Sequence, residues 1–220
     1  NIPVDVLSPH EDLSGYKLVL APGLFQISAG VAERLVNAAA AGAIVVGDPL
    51  TGWVNDNQLM LAGGRMGPEL RALFGVSCEE FDVPRPDERI AIDGETDMLP
   101  SNASAQDFCD IIHANDAKIH AVYGSEFYRG RPVLTSRSEG KGEAWRLCAG
   151  LAPEALAHFL VQLCQRAKVD ARWSQLPAGV QARERIAVSG ERFLFLSNYT
   201  RDSVEIAWGH SAKDAFSEEW

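Results

Sequence analysis

Lys17-Leu18-Val19-Leu20-Ala21-Pro22-Gly23 is an apolar run closed by a Pro-Gly turn, and Ala43-Ile44-Val45-Val46-Gly47 is a second apolar run. Between them Val31, Leu35 and Val36 fall on one face at helical spacing, and Ala38 to Ala41 favour helix. Ser28 stands where a side-chain cap belongs, and Gly42 where a helix ends. A continuous apolar strand reached through a helical crossover is the pattern of a parallel strand covered on both faces. Residues 17–48 therefore read as a βαβ unit, and the chain as α/β.

Upstream, Val4 to Leu7 is a short strand expectation. Downstream, Asp48 to Met66 carries Gly, Asn and Pro without a period, a long loop of the kind used for function or for interfaces. Gly67 to Gly75 is a short helix, with Pro68 in its first turn and Gly75 at its end. Cys78 to Asp93 reads as extended, and Pro84 and Pro86 make any strand there an edge or irregular one. Residues 105–114 are ambiguous between helix and strand. Lys118 to Tyr123 is a strand, and Pro132–Arg137 pairs with Glu143–Cys148 as a hairpin across Gly140-Lys141-Gly142. A long helix starts at Pro153, with Leu156, Phe159, Leu160, Leu163 and Cys164 as its apolar stripe and Lys168 just past its end. Beyond Val169 only strands remain: Val180–Val188, Arg192–Tyr199 and Val204–Trp208. The expected division is residues 1–168 and a small antiparallel domain over residues 169–220.

The chain has 220 residues, 46% of them hydrophobic, and a formal net charge of -10. Surface scaling lets a chain of this size bury roughly 70% of its unfolded surface, so it can build a real core. No run approaches the roughly 20 apolar residues of a spanning helix, and Asn1 to Asp5, with no basic n-region or small-residue cleavage site, does not read as a signal peptide. A negative surface is a poor match for nucleic acid or anionic lipid. Cys78, Cys109, Cys148 and Cys164 form no C-x-x-C pair and have apolar neighbours, so they read as buried free thiols in a reducing, cytoplasmic setting. The sequons at Asn102 and Asn198 read as chance matches.

Recognisable chemistry is sparse. The turn after the second run, Val46-Gly47-Asp48-Pro49, has no Cys or Ser where an amidotransferase-type elbow holds its nucleophile, and P-loop, dinucleotide and zincin motifs are missing. Neither a catalytic residue, a metal nor a cofactor is expected. Gly63-Gly64-Arg65-Met66-Gly67 before a helix offers backbone N–H groups to an anion, or simply turns. The histidines, His10, His113, His120, His158 and His210, share no motif and read as structural or solvated. Trp53 beside Asn55, Asp56 and Asn57 has the makeup of a sugar-stacking loop, giving Trp53 and Asn55 as substrate-binding candidates; loop packing or a subunit contact is the competing reading. Tyr123, Phe127 and Tyr128 read as packing, and Glu79-Glu80 and Glu218-Glu219 as solvated.

Val4-Asp5-Val6-Leu7-Ser8-Pro9, Asp12-Leu13-Ser14-Gly15-Tyr16-Lys17-Leu18-Val19-Leu20-Ala21-Pro22, Thr51-Gly52-Trp53-Val54-Asn55-Asp56-Asn57, Gly67-Pro68-Glu69-Leu70-Arg71, Glu79-Glu80-Phe81-Asp82, Gly140-Lys141-Gly142 and Leu194-Phe195-Leu196-Ser197-Asn198-Tyr199-Thr200, in that order, resemble glycoside hydrolase family 42 β-galactosidases. Members of that family have a catalytic (β/α)₈ barrel, a flavodoxin-like or class I glutamine amidotransferase-like trimerisation domain, and a small β domain. The resemblance covers only the last two, and implies a three-layer domain with a mostly parallel sheet. It further implies that the first strand and helix of that domain precede Asn1 and that the β domain continues past Trp220. The family's acid/base glutamate follows an asparagine, and no Asn-Glu dipeptide occurs here. The implied whole is a cytoplasmic homotrimer that hydrolyses terminal β-D-galactosides with retention, using two barrel glutamates about 5 Å apart and no metal. This chain would then contribute assembly, with residues 48–66 as candidate trimer surface. The rivals are a carbohydrate-binding module stacking sugar on Trp53 or Trp145, and a stand-alone amidotransferase-like enzyme that needs a reactive Cys.

Overall fold

The structure, a computed structural model, describes residues 2–60, 64–170, 173, 175–206 and 213–215. It divides into two compact units, Leu7–Val169, and Asp170–Trp220 together with Asn1–Val6.

The larger unit begins with the expected βαβ. β1 (Leu18–Ala21) runs parallel to β2 (Ile44–Gly47) in the register Leu18↔Ile44, with α1 (Val31–Ala41) as the crossover. α1 starts two residues later than Ser28 implies: its N-cap is Gly30 at φ 79°, without a side-chain cap. Ser28 gives its backbone oxygen to Val31 N at 3.1 Å, and its hydroxyl meets His10 Nε2 at 3.2 Å. Val4 to Leu7 forms no strand.

α2 (Gly67–Phe74) follows the long loop and leads to β3 (Val76–Asp82), β4 (Ile90–Asp93), β5 (Ser104–Ala114), β6 (Lys118–Tyr123), β7 (Pro132–Glu139), β8 (Gly142–Leu147) and β9 (Ala149–Leu151), then α3 (Pro153–Arg166). Residues 105–114 are thus strand: Cys109, Asp110, Ile111 and Ile112 are all buried, because β5 is covered on both faces. The nine strands join in the order β1-β2-β8-β7-β6-β4-β5-β3, with β9 against β5.

The sheet is mixed, and the expectation of a mostly parallel one is overturned. Only the β1–β2 and β2–β8 ladders are parallel, and the other six are antiparallel. A parallel pair needs a crossover of a dozen or more residues. From β3 to β9 the connections hold no helix, and every ladder those strands make with one another is antiparallel.

Alternation sorts the β2 and β8 side chains into three layers. Val45 and Ala144 pack with Leu35, Ala39, Leu70 and Phe74 of α1 and α2, and Ile44, Val46 and Trp145 pack with Ala155, Phe159 and Leu163 of α3 on the other face. The β7–β8 hairpin turns through Gly140-Lys141, since Glu139 pairs Gly142. Gly140 adopts φ 56°, and a Cβ there would come within 2.7 Å of Ala40 Cα at the end of α1.

In the smaller unit, β10 (Val180–Ile186) and β11 (Arg192–Asn198) form an antiparallel hairpin from Val180↔Asn198 to Ile186↔Arg192. Residues 204–206 of the expected third strand are not strand, and residues 207–208 lie outside the described residues. Phe193, Phe195 and Leu196 stay exposed.

Candidate functional site: an aromatic face over a buried Arg-Asp-Arg bridge

Three short segments interlock beyond the C-terminal ends of β1 and β2. Trp53 N donates to Phe25 O at 2.8 Å, Ile27 N to Val54 O at 2.9 Å, and Asn55 N to Leu59 O at 2.9 Å. The loop is anchored beneath. Thr51 Oγ1 donates to Ala21 O at 3.0 Å, and the Asp48 carboxylate accepts from Gly23 N at 2.8 Å. The described part of this loop, residues 48–60, is thus a platform tied to the strand ends.

Trp53 lies at its centre. Phe25 stacks on it with centroids 5.6 Å apart, Phe81 and Phe108 meet it edge-on at 5.2 and 5.8 Å, and the Arg65 guanidinium lies 4.6 Å from its centroid. The indole N–H donates to Pro49 O at 2.8 Å. Asn55, its partner candidate, holds the turn: its Oδ1 accepts from Asn57 N and Leu59 N at 2.9 and 3.1 Å.

Under this face lies a bridge that no motif announces. Asp110 on β5, fully buried, takes Arg65 Nη2 on one oxygen at 2.6 Å and Arg146 Nη2 on the other at 2.8 Å. Arg65 also donates to Glu80 O at 2.8 Å, and Arg146 Nη2 approaches Pro49 O at 3.4 Å. Pro49 O thus receives both the Trp53 indole and Arg146, joining face and bridge. The site holds two cations to one anion, and aromatic rings lie beside both guanidinium groups: Phe81 at 5.8 Å from Arg65 and Phe74 at 5.9 Å from Arg146.

The bridge offers no nucleophile. The Cys78 thiol lies 3.7 Å from Asp110, and burial, with the carboxylate beside it, pushes its pKa up to about 11. Burial also pushes the Cys109, Cys148 and Cys164 thiols up, and all four cysteines are free. At the end of β2, a Cβ on Gly47 would stand 2.7 Å from the Phe74 ring, so α2 packs against the strand end there.

Residues 1–170 match the family described as the β-galactosidase trimerisation domain. The chain belongs to that family. It is 36% identical to β-galactosidase BgaA of Planococcus sp. (strain 'SOS Orange') over 94% of its own length and 30% of the relative's. Among solved structures it is similar to β-galactosidase from Bacillus circulans sp. alkalophilus (TM-score 0.81, 34% identity, 88% of this chain and 29% of that one). It is also similar to Gan42B, a GH42 β-galactosidase from G. stearothermophilus (TM-score 0.84, 27% identity, 99% and 31%). The chain therefore spans about 30% of the curated relatives it matches.

Elsewhere in this trimerisation-domain chain, Trp145 is buried beneath His120, stacked at 4.6 Å, and Arg166, 5.4 Å from its centroid. Its N–H donates to Glu143, which Arg166 grips with two bonds of 2.6 Å. His120, Glu143 and Arg166 line a groove of about 440 Å³ with Lys118, Ser136 and Arg137. The histidines serve separate contacts: His120 meets Ser136 at 2.8 Å, His113 meets Glu79 at 2.7 Å, and His158 meets Asp97 O at 2.7 Å. Glu79 is exposed, as expected, and pairs at the surface with His113 and with Arg131 at 2.9 Å. His210, Gly63 and Glu218-Glu219 lie outside the described residues. Arg65 of the glycine-rich segment is spent on Asp110. Tyr123 and Tyr128 pack edge to face in the core at 4.8 Å, while Phe127 is exposed. Among the described residues, no His, Cys, Asp and Glu side chains group as a metal site, and no helix is long and apolar enough to cross a membrane.

Proposed function

We propose that this chain is the non-catalytic assembly portion of a cytoplasmic, homotrimeric β-galactosidase whose complete form hydrolyses terminal β-D-galactosides with retention. The match of residues 1–170 to the trimerisation domain carries the reading. Relatives more than three times as long leave ample chain for a catalytic barrel elsewhere. On this reading residues 1–168 are the trimerisation domain and residues 169–220 a small β domain. The parallel β1-β2-β8 core between α1/α2 and α3 supports an amidotransferase-like ancestry for the first, with α2 packed against the end of β2 through Phe74 and Gly47. Four free thiols support a reducing compartment.

Solution mass tests the assembly role. Light scattering over a concentration series is expected to give three times 23.9 kDa for this chain. A monomer at every concentration overturns assembly through this portion.

A further inference from the structure

With a formal net charge of -10, the chain has acceptors in plenty for any half-buried cation. Arg65, Arg71, Arg131, Arg137 and Arg146, which are buried or half-buried, each donate to a carboxylate or a backbone carbonyl. Arg34 on α1 is half-buried too, and departs from this pattern. Among the described residues its guanidinium has no ion pair and no hydrogen bond, and its Nη1 is sealed from solvent. A sealed donor without an acceptor weakens the free protein, so the group is shaped for an acceptor from outside the chain.

The surroundings of Arg34 supply the room. It lines a groove of about 480 Å³ between α1 and residues 12–17, the segment that leads into β1. Arg34, Asn37, Ala38 and Ala41 share one face of the helix by their spacing, and the two alanines leave open what longer side chains would fill. Gly30 starts α1 at φ 79°, and a Cβ there would stand 3.1 Å from Arg34 Nη1, so the glycine keeps the space beside that nitrogen clear.

The charges of the groove point the same way. Lys17 faces it with an ammonium that gives one N–H to Lys168 O at 2.9 Å, which leaves its other donors for a ligand. Asp12 is the one carboxylate among the described lining residues, and Ser14 occupies it: the backbone N donates at 2.9 Å and the hydroxyl donates as well. The Asn37 amide has no partner among the described residues. Two cations, one of them wholly unpaired, thus stand against a single carboxylate that is already engaged.

We infer that this groove is a binding site for a small molecule carrying an oxyanion, phosphate or carboxylate, and that Arg34 is the residue that receives it. A planar guanidinium matches two oxygens of either group with parallel N–H bonds. Lys17 adds a point charge from the opposite wall, and Asn37, one helical turn from Arg34, adds an amide donor. The site lies apart from the aromatic face and does not depend on the assembly role.

The test is the melting temperature of this chain against inorganic phosphate, and separately against acetate, at constant ionic strength set with sodium chloride, so that screening is the same throughout. Phosphate also stabilises proteins by exclusion from their surfaces, so the variants decide. Wild type is expected to gain about 2–4 °C in a rise that saturates, and to broaden the phosphorus resonance of phosphate. Arg34→Gln and Asn37→Asp, the second placing a carboxylate beside Arg34 at an exposed position, are expected to lose both signals. Arg129→Gln, which removes an exposed arginine outside the groove, is expected to keep them. Without phosphate or acetate, Arg34→Gln is expected to melt no lower than wild type, because it removes an unpaired donor; an arginine that merely holds the fold would not behave so. A saturating, Arg34-dependent rise with acetate alone assigns the site to carboxylates, and one with phosphate alone to phosphoryl groups. A rise that is equal in all variants is surface exclusion only and overturns the inference, as does the lack of a saturating rise with either anion. Arg34→Gln melting lower than wild type by the same amount with and without the anions assigns Arg34 to the fold and also overturns it. Asn37→Asp carries the comparison if Arg34→Gln does not fold, as circular dichroism would tell.

Discussion

Asp110 stands in Phe108-Cys109-Asp110-Ile111-Ile112, an apolar strand that buries its one charge completely. Asp110→Asn leaves two guanidinium groups without their shared anion, and breaking a buried pair in this way costs about 3–5 kcal/mol. Denaturant unfolding is expected to show a loss of that size, with an ordered but weakened native state. The thiols give a second check. With Cys109 and Cys148 buried and the Cys78 pKa near 11, native protein at neutral pH is expected to show no fast stoichiometric thiolate with Ellman's reagent, and four thiols once unfolded. A fast native equivalent would revive a thiol-enzyme reading. His120 supplies a pH signature. Burial, then the cations Lys118 and Arg166, lower its pKa from 6.5, so the unfolded chain takes up a proton on His120 before the native state does. Stability from this residue is present above pH 6.5 and lost as pH falls below it. His120→Gln is expected to flatten that part of the stability–pH curve, read as Tm against pH.

Among the elements, α3 shows how sequence period becomes packing. Ala155, Phe159 and Leu163 recur every four residues and enter the core beside Trp145, while Leu156 and Val161 face outward. Leu163→Ala is expected to cost about 2–5 kcal/mol, measurable as a lower unfolding midpoint, since the rigid sheet beneath cannot collapse into the space. The helices were legible because each carries a period and a Gly or Pro at an end. Sheet direction was not. Outside the β7–β8 hairpin, whose turn was readable, nothing within Ser104–Ala114 or Lys118–Tyr123 states which neighbour it meets or in which sense. Ser28 was misleading for a related reason: a side chain able to cap does so only if the backbone enters the helix there, and Gly30 turns the chain two residues later.

At the scale of the molecule, the chain holds an assembled three-layer unit and a hairpin that buries Val180 and Ala182 but leaves Phe193, Phe195 and Leu196 in water. Its cysteines are buried or half-buried, the buried carboxylate beneath the aromatic face is spent on two arginines, and its described histidines are scattered. Hydrolysis of a nitrophenyl β-galactoside by this chain alone is therefore expected to stay at the buffer blank, using material free of host enzyme. Turnover well above that blank would overturn the non-catalytic reading.

The sequence by itself determined the βαβ unit, the helices, the β7–β8 hairpin and the family, because those rest on periods, turns and ordered short motifs that act locally. Only the tertiary structure decided that Trp53 and Asn55 belong to an internally bonded platform, and that Arg65, Asp110 and Arg146 form one bridge. Those three residues are separated by 36 or more positions and lie on a loop and two strands. A charge within an apolar strand, as in Cys109-Asp110-Ile111 or Trp145-Arg146-Leu147, signals that a partner is required, since an unpaired buried charge is prohibitive. Which partner meets it is set by strand order, a property of long-range pairing that no local pattern encodes.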